Sequence, residues 1–148
     1  MTKEQLKDYF LTGEIVTESK MHDLIDVIFD ESGGTSSGSY DVGPLGFTGL
    51  PDSEETDWII VPRNIQIEAG SSGFAHSLIL ATSECTFTLY KNNDIIGTVV
   101  FDENSNTGTL DIPLSVTVNA GDRIALSAPL IPDNTIENIQ VVILGELV

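Results

Sequence analysis

The sequence predicts a mainly β protein: an antiparallel, jelly-roll-like β-sandwich that follows a short N-terminal two-helix segment and a linker rich in Gly and Ser. Three observations indicate this fold class. From Trp58 onward, apolar and polar residues alternate over short runs, which is typical of strands with one buried face. Clusters of Gly, Asn, Asp and Ser separate these runs, as turns require. Helical periodicity is confined to residues 1–30.

Residues 1–30 are predicted to form two short helices that attach the protein to something else. Thr2 and Gln5 have capping-box spacing, and Gly13 ends the first helix. Thr17 can cap the second helix, in which apolar residues recur at the spacing of an amphipathic helix. The predicted attachment or oligomer interface consists of Leu6, Phe10, Met21, Leu24, Ile25, Ile28 and Phe29.

The apolar stripe on these helices needs cover, because helices of this length are marginally stable alone in water. One alternative is that the stripe packs on the sandwich of the same chain. The other is that it docks on another subunit or on a larger assembly, and we favour this second interpretation.

Residues 31–56 are predicted to be a flexible linker. Gly, Ser, Pro and acidic residues dominate the segment, and it lacks the periodic apolar residues of a regular element. Tyr40, Leu45, Phe47 and Leu50 are its large apolar residues, and they could hold part of it against a surface.

Residues 57–148 are predicted to form the sandwich, a displayed knob domain. Its candidate strands are 58–61, 64–68, 74–82, 85–91, 95–101, 109–112, 115–118, 123–127 and 136–144. The last of them contains four consecutive apolar residues from Val141 to Leu144, so both of its faces need cover. A central position in the sheet or a subunit interface would supply that cover.

Charge and composition exclude several kinds of partner. The chain has 23 acidic and six basic residues and a formal net charge of -17, which disfavours nucleic acid and anionic membranes. Apolar runs are too short to cross a bilayer, and the polar N-terminus does not resemble a secretory signal. We therefore expect a soluble protein. Cys85 is the only cysteine, so neither an intrachain disulfide nor a thiolate metal cluster can form.

No constellation of residues indicates catalysis, and we expect no catalytic residue, no metal and no cofactor. Only His22 and His76 could act as a base; His76 alternates with Phe74, Leu78 and Leu80, which predicts that it faces the core. The acidic turn from Asp102 to Gly108 has its glycine one place late for a calcium loop, so it is interpreted as a hairpin turn.

Two aromatic residues could bind sugar. Trp58 and Tyr90 would offer flat apolar surfaces to a glycan if they are exposed, but Trp58 precedes an apolar run, and we favour a place in the core for it. A carboxylate pair for glycoside hydrolysis is possible in so acidic a chain, but no spacing selects a pair.

The N-terminal run of residues 10–29 contains an aromatic residue followed by Thr12-Gly13, Thr17-Glu18 and Leu24-Ile25-Asp26. This run resembles a segment of tailed-bacteriophage tail-fibre and head-fibre proteins, although Val16 stands where proline is usual and Met21 where an aromatic residue is common. Tyr90-Lys91-Asn92 and Ala120-Gly121-Asp122 are similar to parts of the β-sandwich heads in such proteins.

The resemblance implies a virion structural protein, assembled in the host cytoplasm: a head fibre, a decoration protein or a short tail-fibre or spike component. In such proteins the helical segment docks on capsid or tail proteins, and the sandwich is displayed as an oligomer, commonly a homotrimer. The alternative is a carbohydrate-binding module that adheres to a host-surface glycan through Trp58 or Tyr90. A small hydrolase is a third hypothesis.

Overall fold

The computed structural model describes residues 38–70 and 73–148, and this part of the chain is a β-sandwich. It has ten strands, and every pairing between them is antiparallel. The strands are β1 (Ser39–Phe47), β2 (Thr56–Ile60), β3 (Ile65–Ile67), β4 (Gly73–His76), β5 (Cys85–Lys91), β6 (Asp94–Phe101), β7 (Thr107–Asp111), β8 (Val116–Val118), β9 (Arg123–Ser127) and β10 (Ile139–Leu147).

Hydrogen bonds join the strands in the order β2-β9-β5-β6-β7-β4-β10-β3-β8. Strand β1 pairs with β10 along nearly its whole length, while β4 and β3 pair with successive parts of β10. The central position of β10 accounts for its apolar run. Val141 and Ile143 are buried in the core, whereas Val142 is half-buried and Leu144 is exposed on the outer surface. The prediction that both faces are covered is therefore confirmed for the inner face and wrong for Leu144 on the outer face.

The core is built from the inward-facing residues of most strands, which alternate with outward-facing polar ones. Its centre is aromatic. Phe87 stacks on Phe47 with ring centroids 5.8 Å apart and meets Phe101 edge-on at 5.9 Å. These three rings come from β5, β1 and β6, so they join distant segments of the sequence.

The first strand corrects the linker prediction. Residues 39–47 were expected to be flexible, yet they form β1, and Val42, Leu45 and Phe47 are buried. The register with β10 shifts between Val42 and Leu45, where Gly43 and Pro44 lie and the peptide bond between them is cis. This bulge hides the alternation that would identify a strand from sequence. The compact unit begins at Gly38 rather than at residue 57.

The fourth strand corrects the orientation predicted for His76. Strand β4 ends at His76, and His76, Phe74, Leu78 and Leu80 are all exposed, while Ala75 faces the core. The inner face leaves no room for larger groups. A Cβ added to the neighbouring Gly108 would lie 2.9 Å from Ala75 Cβ and 2.9 Å from the Phe101 ring.

The other predicted strands are confirmed, with ends that differ by a few residues. Residues 102–106 form the predicted turn, which connects β6 to β7. The two predicted helices lie outside the described residues, and the jelly-roll topology stays a prediction. Among the residues that the structure describes, no helix is long and apolar enough to cross a membrane.

Candidate functional site

Trp58 and Tyr90, the two predicted glycan contacts, lie on one exposed face of the sheet. Trp58 on β2 is directly opposite Ala125 on β9, and Ala125 is directly opposite Tyr90 on β5. Cross-strand partners point to the same side of a sheet, so the three side chains form a row, which we call the aromatic row. Two strand spacings separate the two aromatic residues, a distance of about 10 Å.

The aromatic row faces solvent because the intervening residues fill the interior. On β9, Ile124 and Leu126 are fully buried and flank Ala125. Trp58 is 53% exposed, and Tyr90 is partly exposed. Ala125 is nearly buried and has only a methyl group, so it forms a low floor between the two larger side chains. The alternative that Trp58 belongs to the core is wrong.

A second row, made of hydroxyl groups, runs beside the aromatic row. Thr56 on β2 is opposite Ser127 on β9, Ser127 is opposite Thr88 on β5, and Thr88 is opposite Thr98 on β6. We call these four residues the hydroxyl row. Thr56 Oγ1 donates to Ser127 Oγ at 3.2 Å, so two of the hydroxyls are already held in place.

The other side of the aromatic row carries amide and guanidinium groups. The Arg123 guanidinium donates through Nη2 to the backbone oxygen of Asn92 at 2.9 Å and to Asn93 Oδ1 at 3.3 Å. The backbone amide of Arg123 donates to Asn92 Oδ1 at 3.0 Å. These bonds fix the turn between β5 and β6 against the start of β9. We call Asn92, Asn93 and Arg123 the polar end.

Asp122 holds the polar end in place through its carboxylate. It accepts a hydrogen bond from Asn92 Nδ2 at 3.0 Å and forms an ion pair with Lys91 at 3.3 Å. The bond from Asn92, then the bond from the Asn119 backbone amide and the Lys91 charge, hold the pKa of Asp122 below its ordinary value. The carboxylate therefore stays ionised at neutral pH.

Part of each group lines an open groove of about 480 Å³: Tyr90 and Ala125 of the aromatic row, Thr56 and Ser127 of the hydroxyl row, and the whole polar end. Glu54 completes the lining, and Trp58 lies outside it on the same face of the sheet. The groove thus combines exposed aromatic surface with hydroxyl, amide and guanidinium donors. This is the arrangement expected of a site for a polar ligand that also has apolar faces.

The loops at the other end of β9 meet at a buried carboxylate. Asp133 Oδ2 accepts from the backbone amides of Thr82 and Ser83 and from both of their hydroxyls, at 2.8–3.1 Å. Asp133 Oδ1 accepts from Thr135 and from the backbone amide of Ile136. Burial opposes ionisation of Asp133, but the hydrogen bonds outweigh it and hold its pKa far below the usual range.

Cys85 lies close to this carboxylate but has a structural environment. The thiol is buried, and burial raises its pKa by more than the backbone amide of Asp133 lowers it. Among residues 38–70 and 73–148, no group of three or more His, Cys, Asp or Glu side chains is placed to hold a metal ion.

The predicted attachment residues, from Leu6 to Phe29, lie outside the described residues. The hydroxyl row and the polar end were not predicted. A signal for the hydroxyl row was present, because Thr86-Phe87-Thr88 places two hydroxyls on one strand face around a buried ring. What the sequence lacked was the pairing of β5 with β9, two segments more than 30 residues apart.

Comparison with known proteins gave no family and no curated relative: no family model matches the chain, and neither does any curated protein. Solved structures resemble it at low identity. A carbohydrate-binding module, CsCBM6-3 from Clostridium stercorarium in complex with cellobiose, has 12% identity and a TM-score of 0.32, covering 76% of this chain and 86% of that one. The cycloisomaltooligosaccharide glucanotransferase of Paenibacillus sp., complexed with cycloisomaltoheptaose, has 14% identity and a TM-score of 0.33, covering 86% of this chain and 22% of that one.

Proposed function

We propose that the sandwich of residues 38–148 binds carbohydrate through the aromatic row. The observation that carries this proposal is the register that brings Trp58 and Tyr90, 32 residues apart in sequence, to the same exposed face around Ala125. Trp58 is 53% exposed, Tyr90 is partly exposed, and neighbouring aromatic side chains on a protein surface often mark a binding site.

The chemistry of the groove matches that of a sugar ring. One face of a pyranose presents C–H groups, which pack on an aromatic ring, while its edges present hydroxyls that need hydrogen-bond partners. The aromatic row supplies the first kind of surface. The hydroxyl row and the polar end supply donors and acceptors on either side of it. Strands β2, β9, β5 and β6, with the turn between β5 and β6, hold these groups in place, so little ordering is required on binding.

Alanine substitution of the aromatic row tests this function. Trp58→Ala and Tyr90→Ala in the full chain should each weaken glycan binding about tenfold or more, because each removes an aromatic surface that the ligand buries. Binding would be found on a glycan array and measured by isothermal titration calorimetry, and circular dichroism would confirm folding.

Phe74→Ala is the matched control. Phe74 is an aromatic residue on β4 that is 63% exposed but lies outside both rows, so its loss should leave glycan affinity unchanged. An equal loss of glycan affinity in Phe74→Ala and Trp58→Ala would mean that non-specific hydrophobic adsorption, and not the aromatic row, explains binding. Absence of binding to every glycan would contradict the proposal.

A virion role is the second candidate, and its support is the resemblance of residues 10–29 to phage fibre proteins. In this proposal residues 1–30 dock on capsid or tail proteins, and the sandwich is displayed as a homotrimer that adheres to a host glycan. The two candidate functions are compatible. Deletion of residues 1–30 should abolish incorporation into particles and leave thermal melting of the sandwich unchanged; normal incorporation would contradict the docking role.

A further inference from the structure

We propose that the ligand is an uncharged linear glycan whose chain crosses strands β2, β9 and β5. In this arrangement consecutive sugar rings lie along the aromatic row, and their hydroxyls on one edge bond to the hydroxyl row. The inference rests on the proposed carbohydrate-binding function and assigns to that site a ligand class and a direction.

The direction follows from the two rows. Trp58, Ala125 and Tyr90 are aligned across the strands rather than along one of them. The hydroxyl row is offset by two residues on each of β2, β9 and β5, so the two rows run side by side. Side chains two residues apart on a strand are about 7 Å apart, which matches the distance from the middle of a sugar ring to a partner of its hydroxyl.

The length follows from strand spacing. Trp58 and Tyr90 are separated by about 10 Å, which is more than one pyranose ring spans. A single sugar can therefore cover one aromatic side chain but not both. An oligosaccharide of about three units can cover both, with its middle unit above the low floor at Ala125.

Hydroxyl groups suit a ligand that both donates and accepts. A Ser or Thr hydroxyl has one donor and two acceptor positions, so it can bond to a sugar hydroxyl in either sense. Thr56 Oγ1 donates to Ser127 Oγ, and Ser127 Oγ donates to the backbone oxygen of Ala128, so these two hydroxyls can still accept through their remaining lone pairs. A row made only of hydroxyls carries no charge with which to compensate an anionic ligand.

Charge disfavours anionic glycans. The chain has a formal net charge of -17, and Glu54 lines the groove. Of the two basic groups nearby, Lys91 is paired with Asp122. Arg123 Nη2 is held by the neutral oxygens of Asn92 and Asn93, while Arg123 Nε has no hydrogen-bond partner. A uronate or sulfate would thus meet a negative field that this single guanidinium offsets only in part.

Calorimetry with defined oligosaccharides tests the ligand class. The full chain would be titrated with neutral glucose, mannose and galactose oligomers of one to six units and with galacturonate oligomers of the same lengths. We expect at least one neutral series to bind, with affinity that rises up to about three units and then levels. Galacturonate oligomers should not bind, and the affinity of the neutral series should be insensitive to salt.

Substitution of the hydroxyl row tests the direction. Thr88→Val keeps the shape and the β-branch but removes the hydroxyl, so neutral oligomers should bind about five- to tenfold more weakly. Ser127→Ala gives an independent measurement at the next position of the row. Thr109→Val is the matched control, because Thr109 is exposed on β7 and outside both rows.

The outcomes separate this inference from the proposed function. If no glycan binds, or if Trp58→Ala changes nothing, both are wrong. If binding depends on Trp58 but the ligand is anionic, saturates at one sugar unit, or is unaffected by both Thr88→Val and Ser127→Ala, the function stands and the ligand class or direction assigned here is overturned.

Discussion

The buried carboxylate of Asp133 accepts the hydrogen bonds that hold two irregular loops together. It is 7% exposed, and its two oxygens accept hydrogen bonds from four residues of two loops, between β4 and β5 and between β9 and β10. Neither loop is helix or strand at these residues, so their backbone amides have no partner in a regular element and donate to Asp133. The negative charge makes each of these bonds stronger than a bond to a neutral acceptor.

Asp133→Asn should destabilise the sandwich by about 2–4 kcal/mol. Each oxygen of Asp133 faces only donors, so an amide nitrogen at either position would meet N–H or O–H groups instead of acceptors. Urea denaturation followed by tryptophan fluorescence measures the loss. Asp111→Asn, at an exposed position on β7, is the control and should change stability little.

The same carboxylate predicts a pH dependence. The pKa of Asp133 is depressed in the folded state, so its stabilisation is complete above the unfolded-state pKa of about 3.9 and is lost as the pH falls towards the folded-state pKa. The stability difference between the native protein and Asp133→Asn should therefore narrow progressively as the pH falls from about 4 to about 2. A difference that is constant over this range would mean that the charge of Asp133 is not what stabilises the loops.

At the scale of the element, β1 is the strand that sequence patterns missed and that the fold depends on. Its three buried residues fill the core beside Phe87, and its partner is the central strand β10. The free edge of β1 is also used, because the Gly46 amide donates to Asp57 Oδ2 at 2.9 Å. This bond satisfies one edge amide and joins β1 to β2.

Gly46→Ala should be costly although the change is a single methyl group. A Cβ at this position would lie 1.9 Å from the backbone oxygen of Ile139, so β1 would have to move away from β10. We expect a loss of about 1–3 kcal/mol and a melting temperature lower by about 5–15 °C. Gly38→Ala is the control, since its Cβ would meet only the flexible end of Leu147 at 3.2 Å. Equal melting of both variants would show that β1 and β10 tolerate separation at Gly46.

The sequence predicted most elements but not their partners. Strands β5 and β9 were predicted with their observed ends. In β5 buried residues alternate with half-buried ones, and this period-two signal is present in the local sequence. Strand β4 was misjudged because its alternation continues through Leu78 and Leu80, beyond the point where the chain turns at Ser77. Its inner face is set by Gly108 and Phe101 of other strands, which no local pattern reports.

In the candidate site, too, the sequence predicted individual residues but not the strand pairing that brings them together. Trp58 and Tyr90 were identified as residue types that could bind sugar, and their exposure and proximity came from the pairing of β2 and β5 with β9. The hydroxyl row is made of residues that are common on any strand surface. Only the register turns four such residues into a row beside the aromatic side chains.

At the scale of the whole molecule, residues 38–148 form a compact unit, and the acidic charge spread over it has few basic partners. Such a surface repels anionic partners. The apolar surfaces that stay exposed on the sandwich, including the aromatic row, are therefore available to a neutral ligand.

The position of the domain boundary can be tested by comparing two fragments. A fragment of residues 38–148 retains all ten strands and should melt cooperatively, whereas a fragment of residues 57–148 lacks β1 and should not. Without β1, the edge of β10 loses its ladder and Phe87 loses the stacked ring of Phe47. Differential scanning calorimetry distinguishes the two results. Cooperative melting of residues 57–148 would support the domain boundary that the sequence predicts at residue 57. It would mean that the core folds without Val42, Leu45 and Phe47 and that β1 is an accessory strand.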